Sequence, residues 1–258
     1  MKVCRFIIID EVRYGIVADE EILLCSRDLT PNGEVVSIEN VRFLPPVSPS
    51  KIVCVGRNYA EHARELGNEL PTEPLLFLKA PSAIIGDGDR IVIPAQSERV
   101  EHEAELAVVI SRTCKSLSDS DNAFDYVLGY TCLNDITARD LQKTDVQFTR
   151  AKSFDSFCPI GPLIETDMDV SDLLITCRVN GEIRQQGRTS QMVFPVDFLI
   201  RYISRQMTLE IGDVIATGTP SGVSKIESGD VCEVEINGIG TLKNRVASGA
   251  ELFSGAQE

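Results

Sequence analysis

The chain has 258 residues, of which 43% are apolar and 25% are charged. This composition is typical of a globular protein with a sizeable core and excludes a disordered chain. Its 39 acidic residues outnumber its 25 basic ones, for a formal net charge of −14. We therefore expect neither nucleic acid nor an anionic membrane surface as a partner. A small anionic substrate remains compatible, because a bound metal and a few cations can reverse the local field.

The eight cysteines lie mostly in apolar runs, and none belongs to a C-x-x-C pair. We interpret them as small core residues in a reducing compartment. The apolar run at the start is broken by Asp10 and Glu11, which fits a strand better than a signal sequence. No apolar run approaches the ~18 residues of a membrane span. These features predict a cytoplasmic protein.

Residues 1–44 predict a small β-rich N-terminal domain, and the proline-rich residues 45–50 predict a linker. The main domain is expected over 51–258, with a helix over 57–67 whose N-cap is Asn58. Further helices are expected over 121–128 and from Pro195 onward. Most other segments read as strands, namely Phe6–Ile9, Tyr14–Val17, Glu21–Cys25, Lys51–Val55, Leu75–Leu78, Arg90–Ile93, Glu103–Ile110, Tyr130–Leu133, Leu174–Val179, Val214–Ala216 and Val231–Ile236. The predicted class is α+β and β-dominated.

The strand over Glu103–Ile110 carries acids on one face. Alternate residues of a strand share a face, so Glu101, Glu103 and Glu105 point the same way. That face becomes apolar within two residues of Glu105, which indicates that the acids point into a half-buried place. Carboxylates there must protonate, pair with bases or bind a cation. A solvated edge strand is the alternative interpretation of this segment alone.

Asp135 lies just past the end of the strand Tyr130–Leu133, before a helix-like segment over 137–142. An acid in this position commonly faces a cleft, although an ordinary turn residue or helix cap fits as well. If Glu103, Glu105 and Asp135 converge, their oxygen ligands suit Mg²⁺ or Mn²⁺, with Ca²⁺ possible. Zinc is disfavoured because the chain has only two histidines and no thiolate cluster.

His62 and Glu65 share a face of the 57–67 helix, where a carboxylate beside an imidazole can help it take a proton from water. A surface ion pair is the alternative. The glycine- and hydroxyl-rich loop over 217–222 could bind a carboxylate through its amides, and it lacks the G-K-[ST] ending of a phosphate-binding loop.

These motifs occur in an order that resembles the fumarylacetoacetate hydrolase family, in particular its acylpyruvase-like and oxaloacetate decarboxylase-like members. The resemblance covers residues 51–245 and is carried by Val55–Tyr59 with His62 and Glu65, Phe77–Lys79, Glu103–Ala107, Asn134–Gln142, Ala151–Asp155 and Gly212–Pro220. It implies a mixed β-roll of the family's C-terminal-domain type and a homodimer.

The resemblance also implies roles for individual residues. Glu103, Glu105 and Asp135 would bind Mg²⁺ or Mn²⁺. His62 and Glu65 would activate water from a lid that orders over the substrate, and Lys152 would stabilise the developing enolate. The residues expected to line the substrate site are Arg139, Gln142 and Thr219.

The expected substrate is a small anionic 2-oxo or 2,4-dioxo acid, and the presence of both His62 and Glu65 favours hydrolytic cleavage of a C–C bond. Oxaloacetate decarboxylation and isomerisation or tautomerisation pass through a similar enolate and stay open. A non-catalytic β module that binds Ca²⁺ would explain the carboxylates, but neither the His62–Glu65 pair nor Lys152.

Overall fold

The computed structural model describes residues 1–26 and 29–249, and the last part of the predicted main domain, residues 250–258, lies outside them. The strands are β1 (Lys2–Ile8), β2 (Glu11–Ala18), β3 (Glu21–Cys25), β4 (Pro31–Ser37), β5 (Arg42–Leu44), β6 (Ile52–Gly56), β7 (Leu75–Lys79), β8 (Ile84–Ile85), β9 (Arg90–Ile93), β10 (Val100–Glu101), β11 (Ala104–Ile110), β12 (Val127–Asn134), β13 (Thr137–Ala138), β14 (Cys158–Glu165), β15 (Leu174–Val179), β16 (Glu182–Arg188), β17 (Val214–Ala216), β18 (Val231–Ile236) and β19 (Gly240–Ser248). The α-helices are α1 (Ala60–Glu65), α2 (Arg139–Thr144), α3 (Thr149–Lys152) and α4 (Val196–Gln206), and short 3₁₀ turns cover Ile38–Asn40, Pro81–Ala83, Ala123–Tyr126 and Thr189–Gln191. The predicted β-dominated α+β class is confirmed.

The largest sheet is mixed and follows the order β4-β3-β2-β1-β14-β12-β11-β17-β6-β7, with β5 beside β1 and β8 beside β14. Strand β11 lies near its middle and is buried along its whole length. One face of β11, including Leu106 and Val108, packs into one hydrophobic cluster. The other face, through Ala107 and Val109, packs into a second cluster. Burial on both faces explains why this strand is almost continuously apolar beyond Glu105.

A second sheet has the order β16-β15-β18-β19-β9 and lies against the first across an apolar core. Helix α4 packs on the same core through Leu199, Ile200 and Ile203, which recur at helical spacing as the sequence predicts. All eight cysteines are buried, as expected of small core residues.

The N-terminal strands β1–β5 have a small core of their own, built on Cys4, Phe6, Ile22 and Leu24. Strand β1 also pairs with β14 in the antiparallel register Lys2↔Glu165 and Val3↔Ile164. The main sheet therefore runs from the N-terminal strands into the rest of the chain without a break. The predicted domain boundaries at 44 and 51 stay a prediction.

Two sequence-based expectations about helices are wrong. The segment 121–128 forms a 3₁₀ turn over Ala123–Tyr126 and then enters β12, because Val127 and Leu128 are needed as sheet residues. The first helix spans only Ala60–Glu65, and its N-cap is Tyr59, not Asn58. The Asn58 amide instead donates to the carbonyls of Phe194 and Thr217, at 3.0 and 2.7 Å. Among the described residues, no helix is long and apolar enough to cross a membrane.

Candidate metal and acid–base site

Three buried carboxylates meet where β11 and β12 lie side by side. The register pairs Ala104 with Asn134, so Glu103 and Asp135 are neighbours just beyond this pair, and the Asp135 amide donates to the Glu103 carbonyl at 2.8 Å. Glu105 follows two positions along β11, on the same face as Glu103. One oxygen from each of Glu103, Glu105 and Asp135 lies within 4.8 Å of the others. The predicted convergence of these three side chains is confirmed as geometry, while their role as ligands stays a prediction.

Buried cations contact two of the three carboxylates. The Lys152 ammonium donates to Glu103 Oε2 at 2.9 Å and to Asp135 Oδ2 at 2.7 Å. Arg139 donates to the other oxygen of Glu103, and Lys79 donates to the other oxygen of Asp135. Both oxygens of Glu103 and both of Asp135 are therefore held by positive charge.

The third carboxylate, Glu105, contacts no cation in the described chain. Its Oε2 accepts a hydrogen bond from the Gly218 amide at 2.8 Å, although only 2% of the residue is exposed. Burial, together with Asp135 and Glu103, raises the pKa of Glu105 well above its usual range. Such a raised pKa is expected of a buried carboxylate that has no positive charge beside it. A hard divalent cation with oxygen ligands fits this donor set.

The pKa shifts of the other groups follow from the same charges. Burial by itself would raise the pKa of Glu103, but Lys152 and Arg139 more than offset it, so this pKa lies below its ordinary value. Burial would likewise lower the pKa of Lys152, but Asp135 and Glu103 raise it above the usual lysine range. These carboxylates therefore favour the ammonium form of Lys152.

His62 and Glu65 lie on α1, facing the same cavity as the carboxylates. This cavity has a volume of about 410 Å³, and its lining includes His62, Glu65, Glu103, Glu105, Asp135, Arg139, Gln142, Lys152 and Thr219, which are all nine residues predicted for the site. His62 Nδ1 lies 3.4 Å from Glu65 Oε2, which is a long contact for a hydrogen bond. Glu65 also accepts from the Gly222 amide, at 3.1 and 3.2 Å to its two oxygens.

The three predicted substrate-binding residues already have partners within the protein. Arg139 binds Glu101 and Glu103 and donates to Gln142 Oε1 at 2.6 Å. Thr219 Oγ1 donates to the Ala104 carbonyl at 2.8 Å and accepts from Gln185 Nε2 at 2.7 Å. The hydroxyl proton of Thr219 is thus committed to the protein, so this hydroxyl can offer only a lone pair to a ligand.

Sequence reasoning assigned no role to four buried residues around the site, Lys79, Glu101, His102 and Gln185. Lys79 has a sequence signal, since it ends an otherwise apolar strand at a position where lysine is seldom buried without a partner. Glu101 shares the strand-face alternation of Glu103 and Glu105, but it binds Arg139 and Arg99 and does not join the carboxylate triad. No local pattern singles out Gln185, because its partners lie on other elements.

Comparison with known proteins places this arrangement in a family. The family model described as fumarylacetoacetate (FAA) hydrolase C-terminal matches residues 51–247, and one described as Rv2993c-like, N-terminal matches residues 1–46. The chain belongs to the fumarylacetoacetate hydrolase family. The resemblance seen in the ordered motifs is thereby confirmed.

Relatives within the fumarylacetoacetate hydrolase family are named for different activities. The chain is 43% identical to oxaloacetate tautomerase YisK of Bacillus subtilis over 237 residues, 84% of this chain and 78% of that protein. The structure of 5-carboxymethyl-2-hydroxymuconate delta-isomerase from Mycobacterium smegmatis matches with a TM-score of 0.89 and 39% identity, covering 96% of this chain and 100% of the other. Maleylpyruvate hydrolase from Sphingobium sp., solved with manganese(II) and pyruvate, matches with a TM-score of 0.81 and 32% identity over the same shares.

Proposed function

We propose that the chain is a divalent-metal-dependent enzyme that moves a proton at the carbon beside the carbonyl of a 2-oxo dicarboxylic acid, a tautomerase or isomerase reaction. The observation that carries this proposal is the buried triad of Glu103, Glu105 and Asp135 beside the Lys152 ammonium, in the cavity that His62 lines. A cation bound by the triad would supply Lewis-acid polarisation of the carbonyl.

The protein groups have distinct tasks in this reaction. His62 takes the proton from carbon and returns it, because it lines the cavity and imidazole is the side chain that most often acts as a general acid and base. The Lys152 ammonium stabilises negative charge that develops on the substrate oxygen. Glu65 orients the His62 ring from 3.4 Å.

The charges of the cavity favour a substrate with two carboxylates. Four carboxylates, including that of Glu101, face three buried cations, and the more exposed Arg99 also pairs with Glu101, so the formal charges of the cluster balance. A bound dication would give this cluster an excess of positive charge, which suits a substrate carboxylate. Arg57 and Lys143 also line the cavity and form no ion pair within the described residues. They suit the second carboxylate.

Hydrolysis of a C–C bond, the reaction favoured by sequence reasoning, is the second candidate. It is supported by Glu65, which the Gly222 amide holds beside His62 and which would help His62 to activate water. We place proton transfer first because the named oxaloacetate tautomerase is 43% identical to the chain, whereas the structures named as hydrolases match at 39% and 32% identity.

The test uses the full chain with Mn²⁺ or with a chelator, and oxaloacetate, an acylpyruvate and a monocarboxylic 2-oxo acid as substrates. Enol absorbance and proton NMR in D₂O follow proton transfer, and product analysis follows cleavage and decarboxylation. We expect metal-dependent keto–enol interconversion that is fastest with the dicarboxylate. Full activity in chelator would contradict metal dependence, and cleaved products without faster enol exchange would replace the first candidate by the second.

A matched pair of variants tests the acid–base assignment. His62→Asn should lower the interconversion rate at least ~100-fold, within the range of general acid–base catalysis. Glu61→Gln changes an exposed neighbour on the same helix and should leave the rate unchanged. An unchanged rate in His62→Asn would remove His62 from the mechanism.

A further inference from the structure

A buried glutamine lies behind the site, at the centre of a complete set of hydrogen bonds. Gln185 Oε1 accepts from the Ala104 amide at 3.0 Å and contacts His102 Nδ1 at 2.9 Å. Gln185 Nε2 donates to Thr219 Oγ1 and to the Pro220 carbonyl, each at 2.7 Å. All four hydrogen-bonding positions of this amide are therefore used, which fixes its orientation.

This orientation also determines the state of His102, which is fully buried. Because Gln185 Oε1 can only accept, His102 Nδ1 carries the hydrogen, and Nε2 accepts from Ser224 Oγ at 2.9 Å. The hydroxyl of Ser224, the ring of His102, the amide of Gln185 and the hydroxyl of Thr219 thus form one directed chain, which ends on the Ala104 carbonyl.

The loop that this chain holds, residues 217–222, contacts both halves of the candidate site. Its Gly218 amide donates to Glu105, and its Gly222 amide donates to Glu65. Gln185 binds two of the three residues between these contacts, Thr219 and Pro220. The same loop segment therefore places the third carboxylate of the triad and the partner of His62.

We propose that Gln185, oriented by His102, is a positioning residue that fixes the 217–222 loop and thereby sets Glu105 and Glu65 in place for the reaction. Its two donated hydrogen bonds anchor the loop at Thr219 and Pro220. Gln185 does not line the cavity, so its effect falls on the rate of the proton-transfer step more than on substrate binding. The effect on rate rests on the proposed function, whereas the effect on the loop does not.

The chain offers a matched pair of variants for the test. Gln185→Glu keeps the oxygen that faces His102 and Ala104 but removes both donors to the loop. Gln186→Glu makes the same chemical change one position along β16, on the exposed face. Three measurements are made on each full-length protein, namely hydrogen–deuterium exchange of the 217–222 amides, Mn²⁺ binding by calorimetry, and kcat and KM for oxaloacetate.

In Gln185→Glu we expect the backbone amides of residues 217–222 to exchange hydrogen for deuterium at least ~10-fold faster than in wild type. We also expect this variant to bind Mn²⁺ at least ~10-fold more weakly, because the loop no longer holds Glu105. We expect kcat to fall ~10-fold or more while KM changes less than ~3-fold, the pattern of lost transition-state interactions. Gln186→Glu should match wild type in all three. The positioning role would be overturned if the 217–222 amides of Gln185→Glu exchanged at the wild-type rate. It would also be overturned if Gln185→Glu and Gln186→Glu had equal effects.

A second pair keeps the inference testable if Gln185→Glu does not fold. His102→Asn retains a nitrogen donor in the place of Nδ1 and should keep loop exchange near wild type. His102→Leu removes that donor and should accelerate exchange of the same amides. Equal exchange in the two variants would overturn the role of His102. A wild-type protein that is inactive on 2-oxo acids, with loop exchange still responding to these variants, would contradict the proposed function alone.

Discussion

At the scale of single residues, Glu103 and Glu105 stand two positions apart on one strand face but differ in their surroundings. Glu103 is bound by Arg139 and Lys152, whereas among the described residues the Glu105 carboxylate accepts its hydrogen bond from the Gly218 amide and pairs with no cation. Removing the charge of Glu103 takes one carboxylate partner away from each of two buried cations, Arg139 and Lys152. Removing the charge of Glu105 relieves a buried carboxylate of its desolvation cost.

This difference gives different expectations for the stability of two isosteric variants. Without divalent cations, Glu105→Gln should keep its free energy of unfolding within ~1 kcal/mol of wild type, whereas Glu103→Gln should lose ~3 kcal/mol because a buried ion pair is broken. Both should weaken Mn²⁺ binding at least ~100-fold. Urea unfolding in chelator and calorimetry check these values, and equal losses of stability would contradict the assigned charge environment.

At the scale of elements, the 217–222 loop fits closely against β16 because residue 222 is a glycine. A Cβ at Gly222 would lie 2.1 Å from the Arg184 carbonyl oxygen, and the backbone there has a φ of +101°. Gly229 has a similar φ of +95°, but no atom outside its chain neighbours lies within 4 Å of its Cβ position. The two positions therefore separate backbone strain from steric clash.

Comparison of Gly222→Ala with Gly229→Ala measures how much this close approach affects the free energy of unfolding. Gly229→Ala should lose ~1 kcal/mol of unfolding free energy, the cost of a left-handed backbone at a residue with a Cβ. Gly222→Ala should lose ~2 kcal/mol more, since β16 and the loop must move apart, and its kcat should fall as Glu65 is displaced. Unfolding titrations are the measurement, and similar losses in the two variants would argue against tight packing at Gly222.

At the scale of the whole molecule, Asp213 joins segments far apart in sequence. It lies before β17 and accepts from the amides of Ser50 and Lys51, at 2.9 and 3.1 Å, as the chain enters β6. It also accepts from the Glu210 amide at 2.8 Å and pairs with the Lys51 ammonium. Burial would raise the pKa of Asp213, but these partners lower it below its ordinary value.

A lowered pKa has a defined consequence for acid stability. Asp213 contributes stability when ionised, and the contribution is present above the unfolded-state pKa of about 3.9 and is lost as the pH falls through the folded-state pKa. Asp213→Asn should therefore be less stable than wild type at pH 7 by ~1–3 kcal/mol, and the gap should narrow below pH ~4. Thermal unfolding across pH tests this, and a stability gap that stays constant down to pH 3 would contradict it.

The predicted homodimer is a separate expectation and stays a prediction.

Much of the fold and part of the site followed from local sequence. Alternation in residues 101–110 indicated which carboxylates share a strand face, and helical spacing after Pro195 indicated α4, because both patterns depend only on near neighbours. The segment 121–128 was misread because a short apolar stretch fits a helix and a buried strand equally well.

Tertiary structure alone decided how the site is held. The Glu105–Gly218 contact joins residues 113 positions apart, His102 meets Gln185 across 83 positions, and Lys79 meets Asp135 across 56. Such contacts depend on which strands pair and in which register, and local periodicity carries no information about either. The sequence by itself therefore determined that acids of β11 face a half-buried place, and the fold decided that Glu105 is the one left without a cation.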